Sequence, residues 1–138
     1  MKTDYTIISR FRNKEKCESL IEKLAEKNKT CYNFCALPVD PNNPNAHPED
    51  QMRHHESVKD FYTDPYFQHM FERDLNGLKN AENVILLLPG GTSAHIEAGI
   101  AYGLGKKLIL IGEPEKPESL YLIFRERYQD IDEFLISI

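Results

Sequence analysis

Only three of the 138 residues are cysteine, too few for the disulfide framework on which small secreted domains rely. Cys31 and Cys35 stand four apart in CYNFC; if that segment is extended, their Cα atoms lie about 13 Å apart, beyond the roughly 7 Å limit of a bridge. Buried free thiols are the expectation. Long apolar runs are missing too. Nothing approaches the roughly 18 residues of a membrane span, and the opening MKTDYTIISRFR has neither the apolar centre nor the small-residue cleavage site of a signal peptide. A cytoplasmic protein with no membrane partner is expected. Positive charge is scarce: 17 Lys and Arg against 22 Asp and Glu give a formal charge of −5. That balance argues against a nucleic-acid partner, although local basic residues can still hold one phosphate. There is no internal repeat and no low-complexity tract. His54 and His55, with His47 and His69, lack any H-E-x-x-H spacing, and adjacent residues on a helix point apart. They read as solvated histidines, and neither a metal nor another cofactor is expected.

What is present is an alternation of short apolar runs with helical patterns. Tyr5 to Ser9 reads as a first strand, and Lys14 to Lys27 as an amphipathic helix with Cys17, Leu20, Ile21 and Leu24 at helical spacing. Cys31 to Leu37 reads as a second strand. Residues 40 to 48 hold three prolines and three asparagines and read as a long loop, functional or mobile. Helical patterns follow from Glu49 to Phe61 and, opened by the capping pair Asp64-Pro65, on to Asn80. Phe61, Tyr62, Tyr66, Phe67 and Phe71 are mostly core at that spacing, with one of them suited to stack on a planar ligand. The almost wholly apolar run Asn83 to Leu88 suits a strand covered on both faces. Ala94 to Gly105 reads as a helix of small residues, Lys107 to Ile111 as a strand and Pro117 to Arg127 as a helix; Tyr128 to Ile138 fits either a last strand or a short helix. The length and the 41% hydrophobic composition suit one domain over 1–138.

Strands alternating with helices imply an α/β domain with an open, mostly parallel sheet. In such sheets ligands sit beyond the carboxyl ends of the strands, where strand order reverses. Ser9, Arg10 and Phe11 end the first strand, and Pro89 to Ser93 end the third, so both segments should face one crevice. Gly90 and Gly91 let backbone approach a ligand closely, while Thr92 and Ser93 add hydroxyls where a helix presents free N–H groups. With Ser93 as N-cap, Glu97 lies about one turn into the helix, where the dipole holds a carboxylate ionised. That suits a nucleophile. It also suits a residue that merely complements the dipole, and spacing alone leaves both open.

A wider pattern distinguishes them. Asp74-Leu-Asn-Gly-Leu-Lys-Asn-Ala81, the following apolar strand, a Gly/Ser-containing loop and Ala94-His-Ile-Glu-Ala-Gly-Ile-Ala-Tyr-Gly-Leu-Gly-Lys-Lys-Leu-Ile-Leu110 together resemble the nucleoside 2-deoxyribosyltransferase family. The resemblance covers residues 64 to 112 and, beyond them, only the order of strands and helices. It implies a single three-layer, flavodoxin- or Rossmann-like domain with a roughly five-stranded sheet. It further implies that Glu97, in the E-x-G motif, attacks the anomeric carbon, and that Asp74, in D-x-N-G with Asn76 beside the substrate, handles the base. The substrate it implies is a nucleoside or nucleoside monophosphate, bound by a homo-oligomer, dimer or larger, whose neighbouring subunit completes the pocket. Such cleavage needs a carboxylate on one face of the sugar and a proton donor toward the leaving base.

The departures from the family pattern are informative. Transferases of the family commonly carry a sugar-binding aspartate six residues before the nucleophile, where this chain has Gly91. They also place a tyrosine near the end of the first strand, where this chain offers Tyr5 on the face of Ile7 and Ser9. Hydrolysis is therefore expected to exceed base exchange. The related deoxynucleoside-monophosphate glycosidases hold a 5′-phosphate with hydroxyls and basic groups, for which Thr92, Ser93, Ser9, Arg10 and Arg12 are available. A non-catalytic nucleotide-sensing module on the same fold is the alternative.

Overall fold

The computed structural model describes all 138 residues. Its centre is a five-stranded parallel sheet of β1 (Thr3–Ile8), β2 (Cys31–Tyr32), β3 (Ala81–Leu87), β4 (Lys107–Ile111) and β5 (Glu126–Tyr128), in the order β2-β1-β3-β4-β5. Chain order reverses between β1 and β3, which pair with Ile7 opposite Ile85 and Ile8 opposite Leu86. Five helices flank it: α1 (Lys14–Glu26), α2 (Pro48–Ser57), α3 (Pro65–Asn80), α4 (Thr92–Gly103) and α5 (Ile131–Ile136). No helix is long and apolar enough to cross a membrane.

Side-chain alternation divides the core into two. Tyr5, Ile7, Ile85, Leu87, Ile109 and Ile111 pack against Cys17, Leu20 and Leu24 of α1 and Phe134 of α5. On the other face Ile8, Val84, Leu86, Leu108 and Leu110 meet Leu78 of α3 and Ala94, Ala98 and Ala101 of α4. The three expected layers are present, and the central strands are buried on both sides as their unbroken apolar runs require.

Local chemistry sets several boundaries. Asp64 caps α3, its carboxylate accepting the N–H groups of Tyr66 and Phe67, with Pro65 in the first turn. The expected second strand stops at Tyr32, because the Asn33 side chain accepts the Cys35 N–H at 2.9 Å and turns Phe34–Ala36 into a 3-10 helix. The expected helix over Pro117 to Arg127 is instead a 3-10 turn, Ser119–Ile123, followed by β5. Leu120 and Leu122 point to solvent there, so no apolar stripe anchors a helix, and the open edge of β4 takes Glu126–Tyr128 as its partner. The tail contains both candidates in succession, with Asp130 capping α5 through the Glu133 N–H.

Cys17, Cys31 and Cys35 are free thiols; Cys17 and Cys35 are buried and Cys31 is half-buried. The loop 40 to 48 is braced by Gln51, 1% exposed, whose side chain accepts from Val39 and Asp40 N–H and donates to the Pro44 and Ala46 carbonyls. Two expectations fail nearby. Phe61, Tyr62 and Phe71 are exposed, not core, since the sheet face is already covered by Leu78 and the alanines of α4. His55 is not a solvated histidine: it stacks on Phe67 with ring centroids 4.5 Å apart, and burial pulls its pKa down.

Candidate active site

Beyond the carboxyl ends of β1 and β3, two chain segments meet. Ser9 donates its hydroxyl to the Leu87 carbonyl at 2.7 Å and accepts from Asn13 Nδ2 at 3.1 Å, tying the strand ends together. A hydroxyl so committed, on a residue 5% exposed, braces the crevice floor. Arg10 is exposed and makes no ion pair; its Cβ lies 3.4 Å from where a side chain on Gly91 would begin. Phe11 turns into the core on the α1 face, away from this crevice. Arg12 is taken by Glu49 and Glu56 of α2, at 2.8 and 2.7 Å.

The loop after β3 enters α4 differently from the sequence expectation. Gly91, not Ser93, is the N-cap; Thr92 opens the helix and Ser93 follows, both exposed. The first helical bond runs from His95 N–H to the Gly91 carbonyl, and no side chain caps the turn. The N–H groups of Thr92, Ser93 and Ala94 thus have no intrahelical acceptor. Glu97 falls in the second turn, deeper than expected. His95, not recognised from the sequence, fastens the loop: Nδ1 donates to the Gly91 carbonyl at 2.8 Å, which leaves Nε2 to accept from the Tyr121 hydroxyl at 2.9 Å. Its ring covers Gly90, where a Cβ would meet His95 Cε1 at 3.1 Å and Leu86 Cδ1 at 3.0 Å. Gly90, Gly91, Thr92, His95 and Ile96 line an open depression.

Glu97 and Asp74 come together at the seam between α4 and α3, both half-buried. Burial pushes the Glu97 carboxyl up to about 8, and the charge of Asp74 pushes in the same direction. The expectation that the helix dipole keeps Glu97 ionised is overturned: desolvation beside a second carboxylate outweighs a dipole that fades beyond the first turn. Asp74 is also raised by burial, but a hydrogen bond from Tyr32 and the charge of Arg73 pull it partway back. Burial thus favours the protonated form at both carboxyls, and the larger push falls on Glu97. Asn76, two residues from Asp74 and so about 200° around the helix, is exposed and turned away.

Tyr32 is the residue that sequence reasoning missed. Paired with Thr6, it projects onto the α3–α4 face and donates its phenol to Asp74 Oδ1 at 3.0 Å. Tyr5, the tyrosine offered by β1, lies on the opposite face, edge-on to Phe134 at 6.0 Å. A signal for Tyr32 did exist. Gly77 interrupts a helical pattern at a cost of about 1 kcal/mol relative to alanine, which asks for a close neighbour. That neighbour is the Tyr32 ring, whose Cδ2 would stand 2.4 Å from a Cβ added at Gly77.

No family model and no curated protein matches the chain. Solved structures do. A 2-deoxyribosyltransferase from the psychrotolerant bacterium Bacillus psychrosaccharolyticus superposes with a TM-score of 0.62 over 95% of this chain and 89% of its own, at 16% identity. A CMP N-glycosidase from Clostridium botulinum does so with a TM-score of 0.54 over 96% of each chain, at 20% identity. The chain has the α/β fold of these two enzymes over nearly its whole length. The family indicated by its motifs is thus one whose fold it carries.

Proposed function

We propose that this protein cleaves or transfers the N-glycosidic bond of a nucleoside or nucleoside monophosphate through Glu97 and Asp74. The observation that carries the reading is the convergence of these two carboxyls, from neighbouring helices, in one half-buried site where burial favours the protonated form of each. One proton is what the reaction needs. Glu97 Oε bonds to the anomeric carbon as the bond to the base breaks, and the proton leaves with the base by way of Asp74. Water then attacks the same carbon, giving its proton to Asp74, and the ester bond to Glu97 breaks. Because the resting proton lies on Glu97, it must pass to Asp74 or to the bound base before attack.

The rest of the site supports the reading. Arg10, the Thr92 hydroxyl and the free N–H groups of the first turn of α4 suit a 5′-phosphate. Gly91 puts no carboxylate against the sugar, which favours water over a second base as acceptor. A second copy would close the open side along Ile96 and Ile100, 59% and 36% exposed; sedimentation as a monomer at assay concentration removes this part of the reading.

The test is incubation with deoxynucleosides and their monophosphates, with chromatography for free base. Release of base is expected, faster from a monophosphate, with kcat/KM falling above about pH 8 as the pair loses its last proton. A rate that climbs through pH 8 would show Glu97 acting without a proton on its partner. Tight binding with no base released makes the protein a nucleotide sensor, and base exchange as the main product refutes the preference for water.

A further inference from the structure

Asp74 and Gly77 lie three residues apart on α3, one above the other on the same side of the helix. Tyr32 fits both at once. Its ring lies against the bare backbone of Gly77, where an added Cβ would stand 2.4 Å from Cδ2 and 2.7 Å from Cγ and Cε2, and its hydroxyl reaches Asp74 Oδ1 at 3.0 Å. Asp74 Oδ2 accepts no hydrogen bond within the protein. We propose that Tyr32, seated on Gly77, is the positioning residue of Asp74: its O–H fixes the carboxyl group's rotation through Oδ1 and leaves Oδ2 as the atom that meets the leaving base. The glycine of the D-x-N-G segment is then present for the tyrosine, and Asp74, Gly77 and Tyr32 form one unit drawn from two elements 42 residues apart in the chain.

A donor held on a carboxylate also sets its acidity, because it stabilises the ionised form. Three groups act on Asp74: Tyr32 from β2 and Arg73 from its own helix favour its charge, and Glu97 from α4 opposes it when ionised. Tyr32 is the one that touches it. The part played by Asp74 in catalysis rests on the glycosidic reading above, whereas its titration does not.

The experiment therefore has two arms. In the first, carboxyl-carbon NMR of aspartate-labelled protein, with Asp74→Asn to identify the resonance, follows Asp74 against pH in the wild type, Tyr32→Phe, Gly77→Ala and the double variant. Loss of the phenol is expected to raise the Asp74 midpoint by about one unit. Gly77→Ala, by displacing the ring, should shift it the same way, and the double variant should go no further than Tyr32→Phe. In the second arm the acid limb of the kcat/KM profile moves up with the Asp74 midpoint, while the limb near pH 8 stays. An unchanged Asp74 midpoint in folded Tyr32→Phe overturns the assignment, as does an activity loss that is uniform across pH. Should no nucleoside be cleaved by the wild type, the glycosidic reading fails and the titration still decides Tyr32. Should Gly77→Ala not fold, Tyr32→Phe alone decides it.

Discussion

On the face covered by α1 and α5, Ile7, Ile85, Leu87, Ile109 and Ile111 meet Leu20, Leu24 and Phe134, none more than 2% exposed. On the opposite face the same strands send Ile8, Val84, Leu86, Leu108 and Leu110 against the three alanines of α4. Long side chains interlock on the first face and close it, with no charged residue in the cluster. Methyl groups on the second face bring α4 close to the sheet and leave its flank, with Glu97, at the seam with α3. One face is specialised for burial, and the other accepts desolvated carboxyls that a stability criterion alone would remove.

The change expected to act most strongly is Glu97→Gln. The amide keeps the shape of the protonated acid but cannot form the glycosyl ester, so activity should fall by several orders of magnitude in a folded protein. Measuring base release beside circular dichroism checks both halves; equal rates in variant and wild type would reduce Glu97 to a packing residue and remove the distinction between the faces.

Paired substitutions sharpen the same contrast. Leu20→Ala should cost about 2–5 kcal/mol of stability, leaving a cavity beneath the closed face, while turnover per folded molecule is unchanged. Ala98→Leu should cost less, about 1–3 kcal/mol, yet lower kcat by about 100-fold, because the larger side chain lifts α4 and carries Glu97 with it. Denaturant melts and kcat on the folded fraction separate the two. A loss of turnover in Leu20→Ala as large as in Ala98→Leu would mean that the site depends on the whole core and not on the seating of one helix.

How far the sequence reveals these faces depends on the range of the interactions. Asn83 to Leu88 is legible because burial on both sides leaves an unbroken apolar run, and Asp64-Pro65 because a cap acts within one turn. Motifs single out Glu97 and Asp74, which the fold brings to one seam. Tyr32 is legible only as the unnamed close neighbour that Gly77 asks for, because its hydrogen bond spans 42 residues, and His95 is not, since its partner Tyr121 belongs to a segment expected to be helical. The protonation of Glu97 is hidden for a related reason: position on a helix is local, whereas desolvation is set by what packs against it.

That protonation makes the last and smallest prediction, one of stability. An unfolded glutamate ionises near pH 4.3, whereas Glu97 in the folded chain holds its proton to about 8. Between those values the unfolded state binds fewer protons than the native one, so wild-type stability must fall as pH rises through the window. Glu97→Gln has no proton to lose there and escapes this decline. Because the side chain is only half-buried, solvent screening reduces the effect to about 1–2 kcal/mol, a few degrees in Tm for a chain of this size. Melting curves of the two proteins should coincide near pH 4.5 and separate by pH 8, with the variant the more stable. Parallel curves across that range would mean that Glu97 ionises as it would in water, and the desolvated character assigned to the α4 face would fail at its central residue.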